Sequence, residues 1–154
     1  SLHDALPICK AIARGIDKVL IIDGDAHYGD GTDSCIQSLA LSSQIINVTR
    51  DHGIGSLQSG LDFGGWSDYT EELIQRHQPG LVLYQAGADA WIDDPYGCGY
   101  LSFDELRFRD RGIFSACRKK GIPTAWNLAG GYTKPMDKTV AIHLQTLELS
   151  DVFA

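Results

Sequence analysis

Asp23, Asp25 and His27 stand at alternate positions directly after the apolar run 19–22, Val-Leu-Ile-Ile, with Gly24, Gly29 and Gly31 set among and just after them. Two carboxylates and an imidazole form a donor set suited to a divalent metal such as zinc. A short apolar run rich in β-branched residues reads as a strand of a parallel sheet buried on both faces. Side chains alternate along a strand, so the three polar residues point the same way if the extension continues. A polar strand-to-helix turn with a capping acid accounts for one of the acids and leaves the other acid and the histidine without a reason. Two more apolar runs end in chemistry. Residues 81–85 lead into Ala86-Gly87-Ala88-Asp89, and residues 123–128 lead into Ala129-Gly130-Gly131-Tyr132.

In a parallel sheet all these strand ends lie on one edge, where open α/β sheets place their sites. Asp25, His27 and Asp89 then make three ligands with a fourth position open, the pattern of a catalytic zinc. Such a metal polarises a carbonyl and lowers the pKa of its bound water. Tyr132 is placed to donate a hydrogen bond to the oxyanion that forms, and Gly130 and Gly131 allow close backbone approach to substrate. Taken singly, Asp89 is also explained as a turn cap and Tyr132 as a half-buried aromatic; it is the shared edge that favours chemistry.

The elements that must position these residues follow from the rest of the chain. Residues 1–7 carry no pattern and are expected to be loose. A short amphipathic helix is expected at 8–14, ended by Gly15, then the first strand at 18–22. Thr32 or Asp33 is expected to cap a helix at 34–41, followed by a strand at 44–49. The glycine-rich stretch 51–65 is a long loop, a frequent place for function; His52 within it and Cys98 are read first as ordinary loop residues, with a place at the pocket as the alternative for each. Ser67 is expected to cap a helix over 68–77, with His77 at its end. Ser102 and Glu105 form a capping box for a helix through Lys120, which Gly121 stops. A last amphipathic helix is expected at 134–150, with His143 in a structural role. Strand and helix alternate four times after an opening helix, which predicts a parallel sheet with helices on both faces and right-handed crossovers.

At 154 residues, with 44% hydrophobic and 21% charged residues, the chain is sized for one soluble globular domain or part of one. The net charge of −7 argues against direct nucleic-acid binding. No run reaches the ~18 apolar residues of a membrane span. The four cysteines form no C-x-x-C pair, and reduced thiols in a cytoplasmic protein are expected. Met136 is the only methionine, so Ser1 is expected to follow other residues in a longer natural product.

Competing motifs can be tested on the letters. An Asp-x-Asp after a strand resembles haloacid-dehalogenase-type phosphatases, with Asp23 as nucleophile; that family favours Thr or Val where His27 stands and needs a later lysine with no clear counterpart. A calcium loop fails, because Tyr28 stands where the EF-hand requires glycine and Ser34 where it requires glutamate. The arginase motif needs an acid at the position of Gly29. No G-x-G-x-x-G follows a strand.

Three motifs in order resemble the histone deacetylase superfamily: Asp23-Gly24-Asp25-Ala26-His27-Tyr28-Gly29-Asp30-Gly31-Thr32; Ala86-Gly87-Ala88-Asp89 followed by Asp94-Pro95-Tyr96-Gly97; and Gly130-Gly131-Tyr132. The resemblance runs from about Cys9 onward and is nearest to class IV-like and bacterial members. It implies an arginase-deacetylase fold, a three-layer α/β sandwich with a parallel sheet, here incomplete at the N-terminus. It implies zinc-dependent hydrolysis of an acetyl amide, in an acetyl-lysine protein or an acetylated small molecule such as an acetylpolyamine. Asp25, His27 and Asp89 then correspond to zinc ligands, and Tyr132 to the tyrosine that polarises the acetyl carbonyl. Asp23, Asp25 and Thr49 correspond to a structural potassium site. The family's tandem His-His general acid/base pair lies upstream of the Asp-x-Asp-x-His strand. Only 22 residues precede Asp23 here, and His3 is their single histidine. A C-terminal fragment that binds metal and hydrolyses poorly is the expectation, with a non-catalytic remnant of the fold as the alternative. The sequence leaves the oligomeric state open.

Overall fold

The structure, a computed structural model, describes residues 2–49, 63–97 and 99–153. Four parallel strands form one sheet: β1 (Val19–Asp23), β2 (Ile45–Val48), β3 (Leu81–Gly87) and β4 (Thr124–Ala129), in the order β2-β1-β3-β4. The helices are α1 (Leu2–Ala13), α2 (Asp30–Ser38), α3 (Phe63–His77), α4 (Phe103–Lys120) and α5 (Asp137–Val152).

Alternation along β1 divides the core in two. Leu20 and Ile22 join Val82 and Tyr84 of β3 against Leu73 of α3, Ile113 and Phe114 of α4 and Leu149 of α5. Val19 and Ile21 face the other way and pack with Ile8 and Ala11 of α1 and Ile36 of α2. Both faces of β1 are therefore dry, which is why its sequence is an unbroken apolar run. The result is the expected three-layer α/β sandwich. Among the described residues, no helix is long and apolar enough to cross a membrane, and Cys9, Cys35 and Cys117 are free thiols.

Several boundaries differ from the sequence expectation. The chain before Ile8 is helical from Leu2, with Pro7 inside α1. Helix α2 begins at Asp30 rather than at residue 34, and its N-cap, Gly29, makes no side-chain capping bond. Asp33 does not cap because its carboxylate is engaged elsewhere: Oδ1 accepts from Asn47 Nδ2 at 2.8 Å and Oδ2 from the Tyr28 hydroxyl. Helix α3 starts before Ser67, at Phe63, and α5 starts at Asp137. Most of the loop 51–65, with His52, and also Cys98 lie outside the described residues.

Helix α4 follows the sequence reading at both ends. Ser102 Oγ accepts from the Glu105 amide at 3.2 Å, and Glu105 Oε2 accepts from the Ser102 amide at 2.7 Å. Gly121 closes the helix with φ +66°. Ser102→Ala leaves the Glu105 amide without its hydroxyl partner, while the residue-102 amide can still donate to Glu105, and it is expected to cost about 1 kcal/mol. Urea unfolding of the variant reads this directly, and an unchanged midpoint counts against the capping role.

Candidate metal centre at the carboxyl edge of the sheet

β1 ends at Asp23, and the chain then turns rather than continuing extended. Asp23 Oδ1 accepts from the Asp25 amide at 3.0 Å, and Asp25 Oδ1 accepts from the His27 amide at 2.8 Å. Two successive Asx-type turns thus replace the strand alternation expected from sequence. They separate the residues by role. Asp23 stays beneath the edge at 2% exposure, where Gln85 Nε2 also donates to Oδ1 at 3.2 Å. Asp25 and His27 are carried out over it.

Asp89 comes to the same point from β3. It is fully buried, and its Oδ1 accepts from the Ala26 amide at 3.0 Å. Its Oδ2 lies 3.0 Å from His27 Nδ1, and Asp25 Oδ1 lies at the same distance from that nitrogen. One donor atom from each of Asp25, His27 and Asp89 falls within 4.8 Å of the others. The opposite ring nitrogen, His27 Nε2, meets the Tyr96 carbonyl oxygen at 2.9 Å. A carbonyl accepts only, so this bond assigns a proton to Nε2; Nδ1, which faces the two carboxylates, donates to Asp25 when the ring is protonated and offers its lone pair to a cation when it is neutral. Two carboxylate oxygens and a ring nitrogen converging at one point suit a cation, and the mixture of one nitrogen and two oxygens suits zinc.

The electrostatics of the cluster follow mainly from burial. Burial pushes the Asp89 carboxyl up to about 6, opposed by the Ala26 amide and assisted by the charge of Asp25. Burial likewise raises Asp23 to about 6. The hydrogen bond to Asp25 raises His27 above its ordinary 6.5. All three shifts have the same sign for stability. A group that holds its proton more tightly when folded contributes fully below its unfolded pKa, and the contribution disappears as pH rises through the folded value. For Asp89 that window runs from 3.8 to about 6, and for His27 it lies above 6.5. With a chelator present, the cluster's contribution to unfolding free energy is expected to fall as pH is raised from 3.8 through about 6, and further above 6.5 as His27 loses its proton. Asp89→Asn should flatten that slope in urea titrations across the range; an identical slope in the variant would contradict the assignment.

The turn after β4 closes the site. Gly130 and Gly131 have φ of +55° and +96°. A Cβ on Gly130 would come within 2.5 Å of Asp89 Oδ1, and one on Gly131 would strike the Thr139 side chain. The visible role of these glycines is thus to let the turn lie against Asp89. The Tyr132 amide donates to Asp94 Oδ2 at 2.7 Å, and the Tyr132 ring packs edge-on against Tyr96 at 5.7 Å. Tyr132 is 44% exposed, and partial burial, then the charges of Asp89, Asp25 and Asp94, raise its phenol above 10.0. It is therefore protonated and able to donate at neutral pH. A cavity of about 510 Å³ beside it is lined by Trp91, Tyr96, Tyr132 and Lys134 among others.

Thr49 lies buried at the end of β2, where its Oγ1 accepts from the Gly29 amide at 3.0 Å. Asp23 Oδ2 is on the same side: a Cβ on Gly29 would stand 2.7 Å from it and 3.4 Å from Thr49 Oγ1. His77 ends α3, and half-buried His143 on α5 hydrogen-bonds the Gly130 backbone while burial lowers its pKa. Sequence reasoning assigned no role to Asp94, Arg109 or Asp110. Asp94 was visible only within the Asp-Pro-x-Gly stretch. The Arg109-Asp110 pair offered one signal, two adjacent charges on what proves to be a buried helix face.

Comparison with known proteins bears on this arrangement. The histone deacetylase domain family matches residues 40–147. An uncharacterized protein of Picosynechococcus is 30% identical over 145 residues, which cover 84% of this chain and 48% of that protein. Histone deacetylase 2 of Arabidopsis thaliana is 27% identical over 157 residues, covering 86% of this chain and 38% of that one. The chain thus spans half or less of the length of these curated relatives. The crystal structure of an HDAC homolog complexed with SAHA superposes with a TM-score of 0.65 at 18% identity, over 97% of this chain and 45% of that chain, which supports the fold.

Proposed function

Because this chain belongs to the histone deacetylase family, we propose that Asp25, His27 and Asp89 hold a zinc ion and that the site serves deacetylase-type hydrolysis of an acetyl amide. The observation that carries the proposal is the convergence of His27 Nδ1 with one carboxylate oxygen each from Asp25 and Asp89, 3.0 Å from that nitrogen to each oxygen. Bound there, zinc supplies Lewis acidity toward a carbonyl and a bound water of lowered pKa. The chain's own residues supply the rest. The Tyr96 carbonyl fixes the His27 ring, and the Ala26 amide fixes the Asp89 carboxylate. Tyr132 donates its phenol proton in a hydrogen bond to the substrate carbonyl oxygen as negative charge develops there. Asp94 holds the backbone of Tyr132 and so helps to set where the ring reaches. Asp23 and Thr49 are proposed to hold the potassium ion beneath.

Asp23 as the nucleophile of a phosphatase loses ground, because a nucleophile must be reached by its substrate. At 2% exposure Asp23 lies under the edge, with Oδ1 occupied by two donors.

The five histidines stand singly at 3, 27, 52, 77 and 143, so the sequence holds no tandem pair. General acid and base groups typically contribute about 10²–10⁴-fold in rate. We therefore expect this chain alone to bind zinc and to turn over acetyl-lysine peptides or acetylpolyamines very slowly or not at all. Zinc titration together with an acetate-release assay tests both parts. Zinc binding without turnover fits the proposal. Efficient zinc-dependent turnover overturns the dependence on a further acid/base pair, and absence of zinc binding overturns the site.

A further inference from the structure

Arg109 is fully buried on α4, the helix that packs behind the sheet. Its Nε donates to Asp110 Oδ1 at 2.8 Å, and Asp110 also accepts from the Tyr84 hydroxyl and, at 2.5 Å, from Thr146 Oγ1. The guanidinium charge is thus neutralised from one side by a carboxylate that is itself held by β3 and α5. The other side of the fork faces the site. Nη1 donates to the Gly24 carbonyl at 2.9 Å and to the Gly87 carbonyl at 2.9 Å.

Those two carbonyls come from different strands. Gly24 directly precedes Asp25, and Gly87 lies two residues before Asp89. They sit where the β1–β3 pairing ends: Asp23 pairs with Gln85, and the Gly24 amide makes a last bond to the Gln85 carbonyl at 2.8 Å. Beyond that point the strand ends part into loops, and few backbone bonds fix their separation. The gap is also tight, since a Cβ on Gly87 would stand 2.7 Å from the Asp25 amide nitrogen. One planar, always-charged donor bridging two carbonyls in such a gap sets a distance rather than merely filling space.

We propose that Arg109 is a positioning residue that joins the carboxyl ends of β1 and β3 and so fixes the spacing of Asp25 and His27 against Asp89. The proposal rests on the metal-site reading for its consequence. The staple itself has a readout that needs no metal: the Ala26 amide, which reaches across the same gap to Asp89 Oδ1.

The test compares Arg109→Met, Arg109→Lys and Thr146→Val with the parent chain. Thr146→Val weakens the same buried network through Asp110 and leaves both carbonyl bonds of Arg109 in place. Zinc affinity is read by competition with a chelating dye, and Ala26 exchange by NMR on the metal-free chain. Each is measured on protein shown by circular dichroism to be folded. Arg109→Met is expected to weaken zinc binding about 10–100-fold, the range for a residue that orients ligands. It should also speed exchange at Ala26 more than at Ile113 within α4. Arg109→Lys, which keeps a charged donor, should recover part of both, and it replaces the methionine variant if that fails to fold. Thr146→Val should lower stability and leave zinc affinity unchanged. Equal loss of affinity in Thr146→Val and in the arginine variants, or no change at Ala26, overturns the proposal. A parent chain that binds no zinc while Arg109→Met still frees Ala26 upholds the staple and removes the metal-site reading instead.

Discussion

Asp89→Asn is expected to weaken zinc binding by more than about 100-fold, beyond what removal of an orienting group achieves. The substitution preserves volume and shape, so Ala26 retains an oxygen acceptor and the fold is kept. It removes the negative charge from the one ligand that is wholly buried. The amide presents either an oxygen of much weaker donor strength or an N–H₂ directed at His27 Nδ1, which repels a cation. The effect should exceed that of Asp25→Asn, because Asp25 is part-exposed and water can take its place. Isothermal titration of both variants gives the ranking. Equal, small losses would mean that zinc binds elsewhere.

Gly130→Ala should be the most damaging single methyl addition at the turn. Two costs combine. The backbone at φ +55° is disfavoured for a residue with a Cβ by about 1–2 kcal/mol. The new methyl would also meet the Asp89 carboxylate at 2.5 Å, and overpacking of this kind typically costs about 1–3 kcal/mol more. The carboxylate is buried and bonded to Ala26, so it cannot swing aside freely. Loss of stability of about 2–5 kcal/mol with loss of metal affinity is the expected result. Gly121→Ala provides the contrast. Its φ is +66° but nothing lies within 4 Å of the added methyl, so only the backbone cost of about 1–2 kcal/mol remains and zinc binding is untouched. Urea unfolding and zinc titration of the pair separate backbone strain from collision; equal effects in both variants would deny the contact with Asp89.

The strands and α4 could be read from the letters because their signals are local. An apolar run such as Val19-Leu20-Ile21-Ile22 reports burial on both faces, and Ser102 with Glu105 marks a helix start within four residues. The convergence of Asp25, His27 and Asp89 was also legible, through the rule that parallel strands end on one edge. The way it is built was not. Asp23 is spent on bonds to Asp25 and Gln85, and the approach of Asp25 to His27 comes from turns that strand alternation does not foresee. The start of α2 was missed because Asp33, a good capping residue by type, is drawn to Asn47 and Tyr28 by tertiary contacts. Arg109 stayed invisible for the same reason. Its carbonyl partners Gly24 and Gly87 lie 85 and 22 residues away, and no spacing in the sequence encodes them.

X-ray absorption at the zinc edge on the zinc-loaded chain tests the central claim most directly. The account predicts one zinc per chain with only nitrogen and oxygen neighbours at about 2.0–2.2 Å and the outer-shell scattering of a single imidazole. A sulfur neighbour at about 2.3 Å, more than one imidazole, or a chain that takes up no stoichiometric zinc would contradict it.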